Sequence, residues 1–525
     1  MNYIELFAGC GGLSLGLKSV GFDLLMANEL SPMAAESYAY NFFKEDVDAQ
    51  SKAEKPALKR TLWLNSRYPL SDLKLRLRED PRKSPPLGEG YSDLEGNERK
   101  LKGSLVVGSI ITLNRWLEGK PDVRESLKSG FGDRGVDLVS GGPPCQSFSM
   151  AGLRRMDCEK NSLPWEFAKF TESVQPKIVL LENVTGILRP FKDDLGNSHY
   201  AWFELAKAFS VIGYVPLCLH VNAKYAGVPQ NRPRFILMGV RKDFYDKLVP
   251  TFNESEKVLF SQPLSFFEQA KEGKELPYSA LDYRDVVNLD DLQLFKNSFL
   301  APLVAFNSRF VTVKDAIDDL RTSSDSEGRF AKDIAKIFGK TLPNREMANH
   351  ALRSNGDLVR RRFRLYQVLQ KVGNDTRKKI VTILKGETVE LTDADWKKLS
   401  QFDYLIESNE YVTFERKSDF MDFLQRHPTK KQTQKALIAD QPAPAALSIP
   451  DDACHYHHDE LRTLSVREMA RIQSFPDSFE LRSKVTTGGQ MRSFEVPQYT
   501  QVGNAVPPLL GRALGQAVSE LLSRV

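Results

Sequence analysis

Residues 1 to about 240 alternate short apolar runs with stretches of helical pattern, and that alternation narrows the fold more than any other feature of the chain. The runs are YIELFA, DLLMANE, SLVVGS, VDLVSGG, KIVLLENV and RFILMGV. Each is short, rich in branched side chains and followed by turn residues, as strands are. Strands separated by helices must cross over and pair in parallel, with helices on both faces of the sheet. The pattern predicts an α/β fold with a doubly wound, parallel-rich sheet. Such sheets bind ligands at the carboxyl ends of their strands, so the residues leaving each run are the ones to inspect.

Two stretches break the alternation. Residues 45–104 form a charged, proline-containing insertion between the second and third runs, longer than an ordinary connection. We expect it to be a solvated surface excursion. After residue 242 the chain turns polar and irregular up to about 448, which predicts a separate, smaller domain over 243–460, with PAPAALSIPDD as a linker or extended strand. From 461 to 525 order returns, and PLLGRALGQAVSELL reads as an amphipathic helix with proline at its start. More than one core is required, because 525 residues exceed what a single one holds. The organisation expected is therefore 1–242, 243–460 and a return segment 461–525.

Composition excludes several classes. A hydrophobic fraction of 41% and a charged fraction of 27% are ordinary for a soluble protein. No apolar run is long enough to cross a bilayer, and MNYIELFAGCGG has no basic leader region, so an intracellular protein without membrane partners is expected. Cys10, Cys145, Cys158, Cys218 and Cys454 are scattered, with no C-x-x-C pair, which speaks against a disulfide framework or a zinc ribbon. Cys454, His455, His457 and His458 fit no common zinc spacing, and no metal is expected there. The formal net charge of +5 is only mildly basic.

The first run enters F-A-G-C-G-G, Phe7 to Gly12. Glycines at a strand-to-helix turn let the backbone approach a ligand, and many doubly wound folds have them. Glu29 ends the second run roughly 20 residues on, where an acid can accept ribose hydroxyls. A nicotinamide dinucleotide stays open on these two features. The loop is not in the usual G-x-G-x-x-G register, which favours another adenosine-containing cofactor.

The fourth run ends in G-G-P-P-C-Q-S-F-S, residues 141–149. Two prolines stiffen the backbone before Cys145 and exclude regular helix. A cysteine on a rigid loop at a strand's carboxyl end is placed to attack a ligand, whereas most free cysteines are buried and inert. Glu182 leaves the next run in KIVLLENV; in a closed pocket such a carboxyl can share a proton with a ring nitrogen. Arg232 and Arg234 follow in YAGVPQNRPRF, and a pair at this spacing can point one guanidinium into a site.

FAGCGG, GGPPCQSFS, ENV, QNRPR, RTLSVREMARIQSFPDSF and YTQVGNAVPP occur in the order of the conserved blocks of DNA cytosine-5 methyltransferases. The likeness covers roughly the first 240 residues, less the insertion, and about the last 65. The chain thus resembles that family, in its bacterial restriction-modification type. The resemblance implies a Rossmann-like core dependent on S-adenosylmethionine, with a smaller target recognition domain at 243–460. It also implies a flipped-out cytosine in double-stranded DNA as substrate.

Residue by residue, the resemblance makes Cys145 the nucleophile on carbon 6 and Glu182 the group at N3 and the exocyclic amine. Arg234, and with it Arg232, belongs near the cytosine O2 and the catalytic loop. It makes Phe7, Gly9, Gly11, Glu29, Ser109, Ile110, Asn504 and Val506 cofactor contacts, and Gln230 a support of the site. Two departures stand out. Ser109 occupies the place where the family has an acid against adenine, and Lys160 the place of an arginine. A cytoplasmic, nucleoid-associated bacterial monomer, with a cognate restriction endonuclease acting separately, is the expected setting.

Within 243–460, Arg353, Arg360, Arg361, Arg362, Arg364, Arg377, Lys378 and Lys379 cluster, which predicts phosphate contacts. Two rival readings remain: an RNA cytosine-5 methyltransferase, and a catalytically silent DNA-binding protein on the same fold. The long segment before RTLSVRE favours a DNA reader over the first, and the intact Cys145, Glu182 and Arg234 set argues against the second.

Overall fold

The computed structural model describes residues 1–96, 98–132, 134–144, 163–192, 198–340, 347–387, 390–429, 435–445, 450 and 453–525. Its centre is a nine-stranded sheet. The strands are β1 (Asn2–Leu6), β2 (Asp23–Glu29), β3 (Thr61–Trp63), β4 (Ser104–Val107), β5 (Leu138–Gly141), β6 (Ile178–Val184), β7 (Tyr214–Asn222), β8 (Pro233–Arg241) and β9 (Arg284–Asp285). They lie in the order β9-β7-β8-β6-β5-β1-β2-β4-β3. From β6 to β3 every pairing is parallel, whereas β8 runs antiparallel to both β6 and β7. All six apolar runs are strands of this sheet. Sequence reading missed β7, whose internal Pro216 argues locally against a strand.

The chain leaves β1 toward β2, β4 and β3 on one side, and continues through β5 and β6 on the other. β1 is therefore the switch point, where a crevice opens at the carboxyl ends. The register pairs Leu6 with Gly141 and Leu6 with Asn28, so the FAGCGG turn lies between the end of β2 and the start of the GGPP loop.

The insertion corrects an expectation. It supplies β3, which extends the sheet, and it buries Leu62, Trp63, Leu64, Leu73, Leu94 and Leu101. Arg76, buried to 1% exposure, pairs with Asp93 at 2.7 Å and lies over the Trp63 ring. A solvated excursion has no such core.

The return segment packs into the sheet's own core through Leu464, Met469, Phe475, Tyr499, Leu510, Leu514 and Val518. Its last helix, Pro508–Leu522, lies along the first, Gly12–Lys18. Glycine makes this approach feasible: a Cβ at Gly16 would stand 2.4 Å from the backbone of Gly511 and Arg512. Phe244, Leu259, Phe260, Phe295, Phe299 and Ile334 join the same core. Another core, from Phe363 to Leu461, is built of Phe363, Leu369, Ile380, Tyr404, Phe420 and Phe423 among others. Among the described residues no helix is long and apolar enough to cross a membrane.

Candidate active site

Backbone bonds lace the turn after β1 to the ends of β2 and β4. Ala8 N donates to Asn28 O at 2.9 Å and Gly108 N to Glu29 O at 2.9 Å. The Asn28 amide reaches across to Val106 O and Gly108 O, both at 3.0 Å. Glu29 accepts Gly9 N–H on one carboxylate oxygen and Ser31 N–H on the other, each at 2.8 Å. A carboxylate offers about four acceptor positions, so lone pairs remain for hydroxyl donors. Burial pushes its proton affinity up, against those two bonds.

Phe7 and Gly9 adopt left-handed backbone at φ 55° and 56°. No atom lies within 4 Å of where a Gly9 side chain would begin, so the turn faces open space. Gly11 is different: a Cβ there would collide with the Phe42 ring at 2.4 Å, which makes Gly11 a packing glycine. Asn504 is exposed at the end of the helix Gln498–Asn504, and the Val506 carbonyl packs on Gly12. Ser109 caps the helix Ile110–Glu118, its hydroxyl accepting from Ile111 N at 3.2 Å; Ile110 is buried.

Across the switch point stands the second group of residues. Arg234 Nε lies 2.6 Å from Glu182 Oε1, with both side chains nearly buried. Antiparallel pairing sets Ile236 opposite Glu182 and Arg234 opposite Val184. The two functional side chains are thus diagonal neighbours on one face. The other Glu182 oxygen borders the end of β5: a Cβ on Gly142 would be 3.0 Å from it. Asn183 donates its amide to Pro143 O at 2.9 Å and so ties the ENV turn to the GGPP loop. Cys145 and Lys160 lie outside the described residues.

Arg232 and Arg234 diverge. Arg232 is buried and its Nη2 donates to Gly503 O at 2.8 Å and Ala505 O at 3.1 Å, clamping the GNAVPP turn. Burial, with Arg234 beside it, lowers its proton affinity, and Glu182 opposes this. Gln230, also buried, donates to Pro444 O at 2.9 Å and accepts from Gln473 at 2.8 Å, pinning the linker.

Several structural residues escaped sequence reading. Arg462 forms a fork to Glu468, with both bonds at 2.8 Å, inside the Ser465–Glu468 capping box. Arg471 bridges Asp319 and Asp477, and Arg467 donates to the carbonyls of Ala348, Pro476 and Phe479. The signal available was three arginines with Glu468 and Asp477 at short spacing inside an otherwise apolar segment.

The basic cluster is partly structural too. Arg364 is buried against Asp403, Lys379 pairs with Asp395, and Arg361 donates to His427 at 3.0 Å. These three are committed within the protein, which corrects the expectation that the whole cluster meets phosphate. His455 is buried facing Glu468, whereas His457 is half-buried and His458 and Asp459 are exposed.

The chain was compared with known proteins. M.DdeI, a Type II methyltransferase of Desulfomicrobium norvegicum, is 24% identical over 99% of this chain and 88% of its own length. M.AgeI of Thalassovita gelatinovora, also a Type II methyltransferase, is 25% identical over 100% of both. Among solved structures, the S. pombe Dnmt2 methyltransferase covers 100% of this chain and 98% of its own at 13% identity and a TM-score of 0.40, too loose a likeness to argue from. The model of the C-5 cytosine-specific DNA methylases matches residues 1–61 and 118–520. With that match over most of its length, the chain belongs to the C-5 cytosine-specific DNA methylase family.

Proposed function

We propose that this DNA cytosine-5 methyltransferase acts through Cys145, Glu182 and Arg234 at the base, with Phe7, Gly9, Glu29, Ser109, Ile110, Asn504 and Val506 around S-adenosylmethionine. One observation carries the reading. The Glu182–Arg234 pair borders Gly142, three residues before Cys145, and one strand away from the Gly9–Glu29 cradle.

The cradle fits the cofactor. Open space above Gly9 admits it, and Glu29 keeps lone pairs for ribose hydroxyls. When bound, S-adenosylmethionine supplies an electrophilic methyl group for carbon 5. Cytosine carbon 5 is a poor nucleophile until the ring is activated. The Cys145 thiolate adds to carbon 6, and the displaced electron pair makes carbon 5 an enamine carbon. Glu182 hydrogen-bonds N3 and the exocyclic amine and shares its proton with N3, while Arg234 faces the charge that builds on O2. After methylation a base takes the carbon 5 proton, the freed electron pair re-forms the C5–C6 double bond and the Cys145 thiolate is expelled from carbon 6. Cys145 cannot reach carbon 6 inside a duplex, so the cytosine must swing out of the stack.

Arg232 and Gln230 act as positioning residues: one holds the GNAVPP turn and the other the linker. Gly11 shapes the FAGCGG turn by packing on Phe42. We assign the catalytic unit to 1–242 with 461–525 and target reading to 243–460. Within the latter, the stretch from Phe244 to Ile334 packs into the core of the catalytic sheet, and the unit whose own core begins at Phe363 is the part that supplies the reader. The Type II names of the full-length relatives support protection of DNA in a restriction-modification system.

A duplex carrying 5-fluorocytosine tests the mechanism, because fluorine cannot leave carbon 5 as a proton does. With S-adenosylmethionine present, the protein is expected to form a denaturation-resistant adduct that Cys145→Ser abolishes. An adduct that survives Cys145→Ser, or methyl transfer by that variant, would refute the assignment. Preference for transfer RNA over duplex DNA would favour the RNA reading.

A further inference from the structure

We infer that the insertion forms part of the cofactor site: the main-chain carbonyl of Leu64 accepts the exocyclic amine of the adenine. This rests on the cofactor reading above and deepens it. The family match omits residues 62–117, so the likeness assigns Leu64 no role.

β3 runs parallel to β4 with Trp63 opposite Val107, and Leu64 N donates to Val107 O at 2.9 Å. Leu64 directly follows β3, and a Cβ at Gly108 would stand 2.9 Å from its carbonyl oxygen, so that carbonyl faces the end of β4, beside Ser109. A continued ladder would give it the Ser109 N–H. The chain instead turns at Gly108 to start the helix Ile110–Glu118, and that bond does not form. Leu64 is 3% exposed, and its carbonyl has no donor among the described residues. A buried acceptor without a partner is costly, which points to a donor that arrives with a ligand.

The carbonyl is held rigidly. On the far side of β3, Asp93 N donates to Trp63 O at 2.9 Å, and Ser66 and Tyr91 exchange bonds at 2.9 and 2.7 Å. On the near side, a Cβ at Gly108 would stand 2.9 Å from the Leu64 oxygen and 3.3 Å from its Cβ, so only glycine leaves this approach clear. Through the Asn28 amide, Gly108 is tied to the residue before Glu29, the ribose-binding candidate.

Chemistry also calls for an acceptor here. Ser109 stands where the resemblance expects an acid, and its hydroxyl oxygen already accepts from Ile111 N. That leaves the serine better suited to donate than to receive an amine hydrogen. The N–H groups of Ser109 and Ile110 have no acceptor among the described residues. One acceptor beside free donors is the complement of the amine and N1 edge of a 6-aminopurine.

The test compares S-adenosylhomocysteine with its counterpart lacking only the 6-amino group, by calorimetry on the full chain. The wild type is expected to bind the amino form about ten-fold more tightly. Ser109→Ala should keep that preference, since the acceptor is the Leu64 carbonyl. Gly108→Ala should displace the carbonyl and bring the two ligands within about two-fold. Equal binding by the wild type, or loss of the preference in Ser109→Ala, overturns the inference while leaving the cofactor reading intact. No binding of either ligand by the folded wild type would instead sink the cofactor reading. Should Gly108→Ala not fold, the Ser109→Ala comparison decides alone.

Discussion

Gly16→Ala sets local and tertiary physics against each other. Gly16 lies inside the helix Gly12–Lys18, where alanine is favoured over glycine by about 1 kcal/mol. Read locally, the substitution stabilises. The structure predicts the opposite sign. The new Cβ would stand 2.4 Å from Arg512 N and from Gly511 C, and 2.7 Å from Gly511 Cα. All three are backbone atoms, so no side chain can swing aside. Ordinary contact begins near 3.4 Å, so the two helices must part by about 1 Å (3.4 less 2.4). A gap of that size forfeits a quarter to a half of the dispersion between facing atoms, and overpacking costs roughly 1–3 kcal/mol. We expect a net loss of about 1–2 kcal/mol after the helical gain. The shift also moves Val506, which precedes the displaced helix and packs on Gly12, so cofactor affinity should fall several-fold. Urea denaturation measures the first effect and calorimetry with S-adenosylhomocysteine the second. A variant as stable as the wild type or more so, with unchanged affinity, would refute the packing of the return segment against the first helix.

Other substitutions probe separate layers. Glu5 is buried among Tyr3, Ser14 and Tyr38; Ser14 donates to it, and burial pushes its carboxyl up to about 8. A raised folded value means that this stability is complete below the ordinary carboxylate range and is lost as pH climbs through 8. Between pH 6 and 9 the wild type should lose roughly 2 kcal/mol relative to Glu5→Gln by urea denaturation, and parallel profiles would contradict this. Arg234→Lys keeps the charge but loses the planar guanidinium whose Nε stands 2.6 Å from Glu182, so kcat should fall about 10²–10³-fold in a methyl-transfer assay with little change in stability. Arg471→Met strands Asp319 and Asp477 and should cost about 3–5 kcal/mol by denaturant titration; a near-neutral result would show that the buried network is dispensable.

The strands were readable because a parallel sheet covered on both faces demands short continuous apolar runs, and YIELFA or KIVLLENV look like little else. Pro216 hid β7. In the insertion, Trp63, Leu64, Leu73, Leu94 and Leu101 follow no period, so charge masked a small core. At the site, residue types were legible and their division of labour was not. Arg232 and Arg234 differ only in register: pairing of β6 with β8 sets Arg234 beside Glu182, while Arg232 reaches carbonyls supplied by the far end of the chain. Likewise Arg364 resembles any phosphate-binding arginine until folding sets Asp403 against it. Non-local partners decide such roles, and no local pattern encodes them.

Bisulfite sequencing of a plasmid from cells expressing the protein, beside the Cys145→Ser variant, tests the central claim most directly. The account predicts protected cytosines in one short repeated context, all lost in the variant. Unprotected DNA in both, from cells that contain the folded protein, would contradict it.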